Sequence, residues 1–261
     1  MSTHRARKRF GQNFLHDPGI IRRIVSAVAP KPGQRLLEIG PGQGAITASL
    51  LDSGARLDVI ELDRDLVPIL EGKFADRDNF HLHQGDALKF DIAALAGETP
   101  LRVVGNLPYN ISTPLIFHLL AAQGAIADMH FMLQKEVVNR LAAQPGSKTY
   151  GRLGVMAQYY CQVEGLFEVP PEAFSPRPKV QSAIVRLRPH DTLPYPAKDV
   201  ATLQGIVRDS FGQRRKTLRN TLKNHISSEQ LEDLGISPTA RPEQLALSDF
   251  VAIANAVYRE Q

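Results

Sequence analysis

Apolar, β-rich runs alternate with helical patterns from about residue 34 to residue 133, and this alternation constrains the fold more than any other feature of the chain. The predicted strands span residues 35–39, 56–62, 80–83, 101–104 and 129–133. Helices are predicted over residues 45–51, 65–74, 114–122 and 135–143. Strands that alternate with helices pair in parallel, because each helix crosses over the sheet before the next strand begins. The alternation therefore predicts an α/β domain built on a mostly parallel sheet.

The carboxy-terminal part of the chain has a different pattern. Residues 166–169 and 183–187 are predicted as two more strands, close enough in sequence to form an antiparallel edge. Pro194 and Pro196 mark residues 191–198 as a linker. Only helical patterns follow, over residues 200–211, 216–224, 228–234 and 248–258.

The helical tail is expected to form a small all-α domain. Its first helix carries an apolar-to-small stripe at the spacing i, i+3, i+4, i+7, formed by Leu203, Ile206, Val207 and Ser210. Ser248 is expected to cap the last helix. We therefore predict an α/β domain over residues 1–190, a linker over residues 191–198 and a helical domain over residues 199–261.

Composition excludes several classes of protein. The 261 residues include one cysteine, Cys161, so a disulfide framework is impossible, and no Cys/His cluster has the spacing of zinc ligands. We expect a reducing, cytoplasmic compartment, chemistry without a metal, and a buried structural role for Cys161 in its apolar stretch. No apolar run approaches the roughly 18 residues of a membrane-spanning helix. The basic start lacks the apolar segment of a secretory signal.

Positive charge is concentrated in two segments, although the formal net charge is only +4. Residues 4–9 contain four Lys or Arg and no acid, and residues 177–223 contain eleven Lys or Arg against three acids. Charge runs are usually solvated surface, but two basic segments around a more acidic middle favour a polyanionic partner. Such binding should weaken as salt rises, because each neutralised phosphate releases counterions.

A glycine-rich turn follows the first predicted strand. Gly40, Gly42 and Gly44 have the spacing G-x-G-x-G, which differs from the dinucleotide fingerprint, and no lysine of a nucleoside-triphosphate loop is present. Glu61 ends the second strand, where a carboxylate can accept both hydroxyls of a ribose, and Asp86 ends the third, within reach of an adenine amine. Taken singly, Glu61 is as readily a surface acid and Asp86 a helix N-cap. Three strand ends in register favour a site for an adenosine-containing ligand.

The fourth strand runs into the tetrapeptide Asn106-Leu107-Pro108-Tyr109. Alone, this pattern is typical of a turn. It also suits chemistry on the exocyclic amine of a nucleobase, whose lone pair is delocalised into the ring. The Asn106 side-chain oxygen and the carbonyl of Leu107 or Pro108 can accept from the two N–H groups. Tyr109 offers a flat surface for the base.

Together these motifs make the chain resemble the S-adenosylmethionine-dependent ribosomal RNA adenine N6-dimethyltransferase family, in its bacterial small-subunit branch. The resemblance covers almost the whole chain. The matching segments are residues 12–15, 38–44, 61, 85–86, 106–112, 133–136, 150–153 and 174–180. It implies a class I, Rossmann-like methyltransferase sheet, mostly parallel with an antiparallel edge, and a small all-α carboxy-terminal domain. On this resemblance, residues 1–190 are expected to form the catalytic domain that binds S-adenosylmethionine, and residues 199–261 a helical domain that binds RNA or the ribosome.

The resemblance also implies S-adenosylmethionine as the cofactor. It places Asn13 and Leu15 at the methionine end, from a segment that folds over the pocket, with Glu61 at the ribose and Asp86 at the adenine. The cofactor-binding residues predicted in this way are Asn13, Leu15, Gly40, Gly42, Gly44, Glu61, Leu62, Asp86, Ala87 and Asn106.

The catalytic residues are predicted from the tetrapeptide and the resemblance, and the RNA-binding residues from the positively charged segments and the resemblance. The predicted catalytic residues are Asn106, Leu107, Pro108, Tyr109 and Phe174. Tyr109 and Phe174 are expected to hold the two faces of the target adenine, although core packing is the ordinary role of an aromatic side chain. The predicted RNA-binding residues are Arg7, Lys8, Arg9, Arg177, Lys179, Arg214, Arg215 and Lys216. For residues 214–216 the alternative is a solvated start of a helix.

The function that the resemblance implies is transfer of methyl groups to N6 of two adjacent adenosines in the 3′-terminal hairpin loop of small-subunit (16S) ribosomal RNA. The substrate is expected to be an immature 30S subunit, and the enzyme to have a role in small-subunit biogenesis. The enzyme is expected to be a cytoplasmic monomer without a metal or membrane contact. Three alternatives remain: the same chemistry on large-subunit RNA, an assembly or transcription factor in which methyl transfer is secondary, and a nicotinamide dehydrogenase, which the glycine spacing disfavours.

Overall fold

The computed structural model describes residues 12–108, 110–213 and 215–259 of the chain. They divide into two compact units. The first contains the residues up to Val138 together with Glu164–Pro189, and the second contains Asn139–Val163 together with the residues from His190 onward. Residues 139–163 thus pack with the helical tail, although they fall within the range predicted as the catalytic domain. The functional division at residue 190 stays a prediction.

The first unit is built on a seven-stranded sheet flanked by helices. The strands are β1 (Phe14–Leu15), β2 (Arg35–Ile39), β3 (Arg56–Glu61), β4 (Phe80–Gln84), β5 (Leu101–Asn106), β6 (Ile126–Gln134), β7 (Cys161–Val169), β8 (Phe174–Ser175) and β9 (Ser182–Pro189). The order in the large sheet is β4-β3-β2-β5-β6-β9-β7, and β1 pairs with β8 in a separate antiparallel ribbon.

The helices lie between and after these strands. They are α1 (Pro18–Val28), α2 (Thr47–Asp52), α3 (Val67–Phe74), α4 (Ile92–Ala96), α5 (Ser112–Ala121), α6 (Lys135–Leu141), α7 (Arg152–Tyr160), α8 (Val200–Phe211), α9 (Leu218–Thr221), α10 (Ser228–Asp233) and α11 (Leu247–Val257). None of the described helices is long and apolar enough to cross a membrane.

Pairing in the large sheet confirms the predicted architecture. β2 pairs in parallel with both β3 and β5, β3 with β4, and β5 with β6, whereas β9 runs antiparallel to β6. In the register, Ile39 at the end of β2 lies opposite Ile60 on one side and Gly105 on the other. The carboxyl ends of β2, β3 and β5 therefore meet at one edge of the sheet, which is where α/β folds bind ligands.

Three helices of the structure are absent from the prediction: α1, α4 and α7. α1 has a clear start signal, because the Asp17 carboxylate accepts a hydrogen bond from the Ile20 backbone N–H at 2.9 Å and Pro18 occupies the first turn. The strand predicted over 166–169 is also longer and begins at Cys161. Mixed burial along β7 hides the period-two pattern that identifies a strand in the sequence.

The second unit contains the helical tail that the sequence predicts. The stripe on α8 is buried, with Leu203, Ile206, Val207 and Ser210 each no more than 1% exposed. Cys161 is also buried, which raises the pKa of its thiol to about 12, as expected for a structural cysteine. The predicted N-cap at Ser248 is wrong. α11 begins at Leu247 after Ala246, and the Asp249 carboxylate accepts from the Ala246 backbone N–H at 2.8 Å.

A buried histidine in the first unit makes stability depend on pH. His130 on β6 is 2% exposed, and neither ring nitrogen has a hydrogen-bond partner among the described residues. Burial lowers its pKa, Arg102 and Arg186 lower it further, and Asp128 opposes them. The unfolded chain therefore binds a proton at His130 more readily than the folded chain does. The contribution of neutral His130 to the free energy of unfolding is complete above about pH 6.5 and is lost as the pH falls below that value.

We therefore predict that, between pH 7 and pH 5.5, the free energy of unfolding decreases less in His130→Leu than in the wild type. The wild type should lose up to about 1.4 kcal/mol per pH unit from this group, and the variant should not. Chemical denaturation at three pH values measures the difference. His16→Leu changes an exposed histidine and should keep the wild-type pH dependence. Equal pH dependence in His130→Leu and the wild type would contradict the assignment.

Candidate active site

A cavity opens at the carboxyl ends of β2, β3 and β5. It encloses about 1120 Å³ of space that is continuous with solvent, enough for a nucleoside-sized ligand. Four segments supply most of its lining: residues 12–15, the turn after β2, the end of β3, and residues 106–108 with 110–111. Eight of the ten predicted cofactor residues line the cavity, and Gly44 and Asp86 do not. The structure thus brings together parts of the sequence that are up to about 100 residues apart.

The turn after β2 keeps the floor of the cavity clear of side chains. Gly40 and Gly42 have φ values of 66° and 59°, a region that other residues rarely adopt. A Cβ on Gly42 would lie 3.1 Å from the Phe14 ring, and one on Gly40 would lie 3.7 Å from the Asn106 carbonyl oxygen. The turn thus packs closely against the segment from residue 12 and against the end of β5.

Gly44 has a different role from the other two glycines of the turn. Its φ is 84°, and a Cβ there would lie 2.6 Å from the Phe74 ring on α3. Gly44 does not line the cavity. The structure therefore explains this glycine by helix packing, and its predicted contact with the cofactor stays a prediction.

A network of acids organises the wall formed by the end of β3. Glu61 is 5% exposed, and its carboxylate accepts from the backbone N–H of Asp63 at 2.8 Å and of Gly42 at 3.3 Å. The Asp63 carboxylate in turn accepts from the Gln12 side-chain amide at 2.8 Å. Burial raises the pKa of Glu61. A buried carboxylate held in place by backbone donors is well suited to accept from the vicinal hydroxyls of a ribose.

Glu38, on β2, is a cavity residue that the predicted site omits. It is 2% exposed, and its carboxylate accepts from the Thr47 hydroxyl at 2.7 Å. Burial raises the pKa of Glu38 to about 7, the Thr47 hydrogen bond opposes this rise, and the charge of Glu61 adds to it. The cavity therefore holds a carboxyl group that is close to half ionised at neutral pH. A cationic ligand would favour its ionised form.

The end of β4 supplies the part of the wall predicted to hold an adenine. Gly85 and Ala87 line the cavity, together with Leu62, a large apolar side chain that is 47% exposed. One oxygen of Asp86 accepts from the Leu88 N–H at 3.0 Å and caps the 3₁₀ turn Ala87–Lys89. The N-cap alternative for Asp86 is thus realised. Asp86 itself does not line the cavity, so its predicted contact with an adenine stays a prediction.

The end of β5 carries the amide predicted to act on the target amine. The Asn106 Nδ2 group donates to the Asn13 carbonyl at 3.1 Å, which assigns the side chain's oxygen the role of acceptor. The Pro108 carbonyl accepts from the Ile111 N–H at 3.1 Å. No donor among the described residues reaches the Leu107 carbonyl. Of the two backbone acceptors left open by the sequence, the geometry favours Leu107.

The two predicted catalytic aromatics have different outcomes. Phe174 is 4% exposed, pairs with Leu15 across the β1–β8 ribbon, and belongs to the buried core. It does not line the cavity, so the structure supports the core-packing alternative. Tyr109 lies outside the described residues.

The predicted RNA-binding residues are partly described. Arg7, Lys8, Arg9 and Arg214 lie outside the described part of the chain. In the first unit, Arg177 and Lys179 are exposed, and Arg177 forms an ion pair with Glu172. In the second unit, Arg215 and Lys216 are exposed. Exposure of these side chains is compatible with contact to a polyanion, and their role stays a prediction.

Sequence reasoning missed Glu38, Asp63, Gln12 and Phe14 as parts of the cavity. A signal exists for Glu38, because an acid within the apolar strand 35–39 has to be buried beside a partner. Asp63 follows Glu61 at i+2, which is also visible in the sequence. No pattern connects Gln12 with Asp63, since the contact depends on where the segment before β1 crosses the sheet.

The family model for ribosomal RNA adenine dimethylase matches residues 3–258. The ribosomal RNA small subunit methyltransferase A of Pseudomonas putida is 64% identical over 260 residues, which cover 99% of this chain and 97% of the relative. The corresponding protein of Pseudomonas aeruginosa is 65% identical and covers 97% of this chain and 94% of its own length.

Solved structures agree with this result. A dimethyladenosine transferase from Plasmodium falciparum aligns with a TM-score of 0.79 and 26% identity, covering 92% of this chain and 95% of that protein. The 23S rRNA methyltransferase ErmE aligns with a TM-score of 0.75 over 94% of this chain and 99% of its own. At 24% identity, the second likeness shows the shared fold alone. With the matched family model and the curated relatives, these findings establish that the chain belongs to the ribosomal RNA adenine dimethylase family.

Proposed function

We propose that the protein transfers methyl groups from S-adenosylmethionine to N6 of two adjacent adenosines in the 3′-terminal hairpin loop of small-subunit ribosomal RNA, and so forms N6,N6-dimethyladenosine. The observation that carries the proposal is the Asn106 amide, oriented by its hydrogen bond to the Asn13 carbonyl in the same cavity as the glycine turn and Glu61. Family membership supports the reaction type, and the curated relatives' names support the small subunit as the source of the substrate RNA.

The cavity residues fit the methyl donor in three places. The glycine turn gives backbone access for the methionine part, the Glu61 carboxylate would hold the ribose, and Leu62 with Ala87 would cover the adenine. Asn13 and Leu15 close the cavity from above the turn. When bound, S-adenosylmethionine supplies a methyl group that its sulfonium centre already makes electrophilic.

The protein contributes positioning and hydrogen-bond acceptors. The Asn106 side-chain oxygen and the Leu107 carbonyl would accept from the two N6 hydrogens of the target adenosine, which concentrates the lone pair on nitrogen. An amide is not a base, so the proton leaves to solvent after attack, when the nitrogen is cationic and acidic. Tyr109 is proposed to stack on the adenine.

Dimethylation requires the cavity to accept its own first product. A monomethylated amine has one N–H, so only one of the two acceptors is used in the second transfer. The other acceptor must lie beside a space that can hold the methyl group added in the first transfer. The cavity is continuous with solvent, and Asn106, Pro108 and Asn110 are part of its lining, which supports a second round of transfer.

The context of the reaction is part of the proposal. We propose an immature small subunit as the substrate, a monomeric enzyme and a cytoplasmic location. The test is incubation with labelled S-adenosylmethionine and, separately, undermethylated small and large ribosomal subunits, followed by mapping of the dimethyladenosine. Label at adjacent adenosines of the small-subunit RNA is expected. Label only in large-subunit RNA, or no label in either, would contradict the proposal.

Asn106→Ala should lower the rate of methyl incorporation by about 100-fold or more, the usual effect of removing one preorganised hydrogen-bonding group. Affinity for S-adenosylhomocysteine should stay within a few-fold of the wild type, because Glu61 and the glycine turn are unchanged. Single-turnover methylation and isothermal titration measure the two quantities. Wild-type turnover in this variant would refute the role of the amide.

The raised pKa of Glu38 predicts that binding of the cationic S-adenosylmethionine is coupled to the release of a proton. A pKa of about 7 means that the carboxyl group of the empty cavity is partly protonated at pH 6.5. A sulfonium in the cavity favours the ionised form, so binding releases protons and affinity rises between pH 6 and pH 8. S-adenosylhomocysteine lacks the sulfonium charge, so its binding should release fewer protons. Titration in two buffers of different ionisation enthalpy measures the release.

The matched variant for this linkage is Glu38→Gln. It keeps a hydrogen-bonding group beside Thr47 and removes the titrating proton. The difference in proton release between the two ligands should disappear in the variant. An unchanged difference would assign the linkage to another group, such as Glu61.

A further inference from the structure

A second cavity lies within the second unit and is lined by three arginines. Arg140 comes from α6, Arg152 from the first residue of α7, and Arg208 from α8. Thr149 and Phe211 also line it, and none of the carboxylates in the described part of the chain does. The cavity encloses about 840 Å³ of space that is continuous with solvent. We call these three side chains and the cavity that they line the arginine cavity.

Close packing of α6 against α7 brings two of the arginines together. A Cβ on Gly154 would lie 2.5 Å from the Arg140 carbonyl oxygen, so the end of α6 can meet the first turn of α7 only because residue 154 is glycine. Gly151 is the N-cap of α7 and provides no side-chain cap. Residues 151–154 line the cavity, and no side chain caps the backbone N–H groups of this first turn.

Arg208 is held by an ion pair on its own helix. Its Nε donates to Asp209 Oδ1 at 2.7 Å and its Nη2 to Oδ2 at 3.2 Å. Asp209 also contacts His225 Nε2 at 2.8 Å. Asp209 itself does not line the cavity, and its carboxylate holds the Arg208 guanidinium in one orientation. The Arg152 side chain makes no hydrogen bond or ion pair with the described residues.

This arrangement selects an anion with several oxygen acceptors. Guanidinium groups present planar forks of N–H donors that match phosphate, and the start of a helix adds backbone donors and a positive dipole end. A half-buried Phe211 ring in the same cavity adds an apolar surface. A wide opening to solvent suits a group carried on a polymer better than a small, enclosed ion.

We infer that the arginine cavity binds backbone phosphates of the substrate RNA. The inference rests on the proposed function, because it takes ribosomal RNA as the substrate. The exposed Arg215 and Lys216, which follow α8 in the same unit, extend the positive charge beyond the cavity. The cavity is thus a contact for the RNA backbone in addition to the residues predicted from the sequence.

The test is a triple variant, Arg140→Gln, Arg152→Gln and Arg208→Gln. Its control, Lys198→Gln, Arg241→Gln and Arg259→Gln, removes the same charge from exposed positions of the same unit. Fluorescence anisotropy with a 3′-terminal fragment of small-subunit ribosomal RNA, at several salt concentrations, gives the affinity and its salt dependence. The cavity variant should bind at least about tenfold more weakly, and its slope of log affinity against log salt should fall by about 0.7–0.9 for each phosphate that the variant no longer neutralises.

Three results would overturn the inference. One is a wild-type slope in the cavity variant, and another is an equal weakening of RNA binding in the control variant. The third uses inorganic phosphate as a probe: phosphate-dependent thermal stabilisation that disappears in the cavity variant, while its RNA binding is unchanged, would assign the cavity to a free anion.

Folding and function are checked separately. Affinity for S-adenosylhomocysteine and the circular dichroism spectrum should match the wild type. If the triple variant does not fold, Arg152→Gln alone should still lower the salt slope, and an unchanged slope would count against the inference. Binding is measured without methyl transfer. An inactive wild type would refute the proposed function, whereas only the slopes decide on the arginine cavity.

Discussion

The parallel pairing of β2 with β5 is the constraint on which the rest of the site depends. Ile39 lies opposite Gly105, and a Cβ on Gly105 would lie 2.8 Å from the Ile39 carbonyl oxygen. The two strand ends can approach this closely only because residue 105 has no side chain. The approach places the glycine turn that begins at Gly40 beside Asn106. The predicted cofactor residues of the glycine turn and the predicted catalytic amide of Asn106 therefore lie at one edge of the sheet.

The remaining cavity residues tie other segments to this edge. Gln12 reaches Asp63, Asn13 orients Asn106, and Glu61 accepts from the backbone of the glycine turn. Each bond joins segments that are distant in sequence, so the shape of the cavity reflects the whole first unit. The acids at Glu38 and Glu61 are buried together, which raises their pKa values and makes the cavity favourable to positive charge.

Much of the fold and part of the site could be predicted from the sequence, for physical reasons. Parallel strands end at one edge, so Gly40, Glu61 and Asn106 had to converge once the strands were identified. The packing of side chains could not be predicted from the sequence patterns in the same way. Gly44 follows the spacing of a cofactor glycine but packs on Phe74, and Phe174 follows a family motif but lies in the core. The arginine cavity joins three segments through contacts that no periodicity reveals.

The most direct test of the account is a crystal structure of the protein with bound S-adenosylhomocysteine. The central claim is that the Asn106 amide, at the end of β5, lies beside the S-adenosylmethionine that the ends of β2 and β3 hold. The ribose hydroxyls should then contact the Glu61 carboxylate, and the sulfur should lie between the Gly40 turn and the Asn106 side chain. A ribose bound away from Glu61, or a sulfur separated from Asn106 by another side chain, would contradict the account.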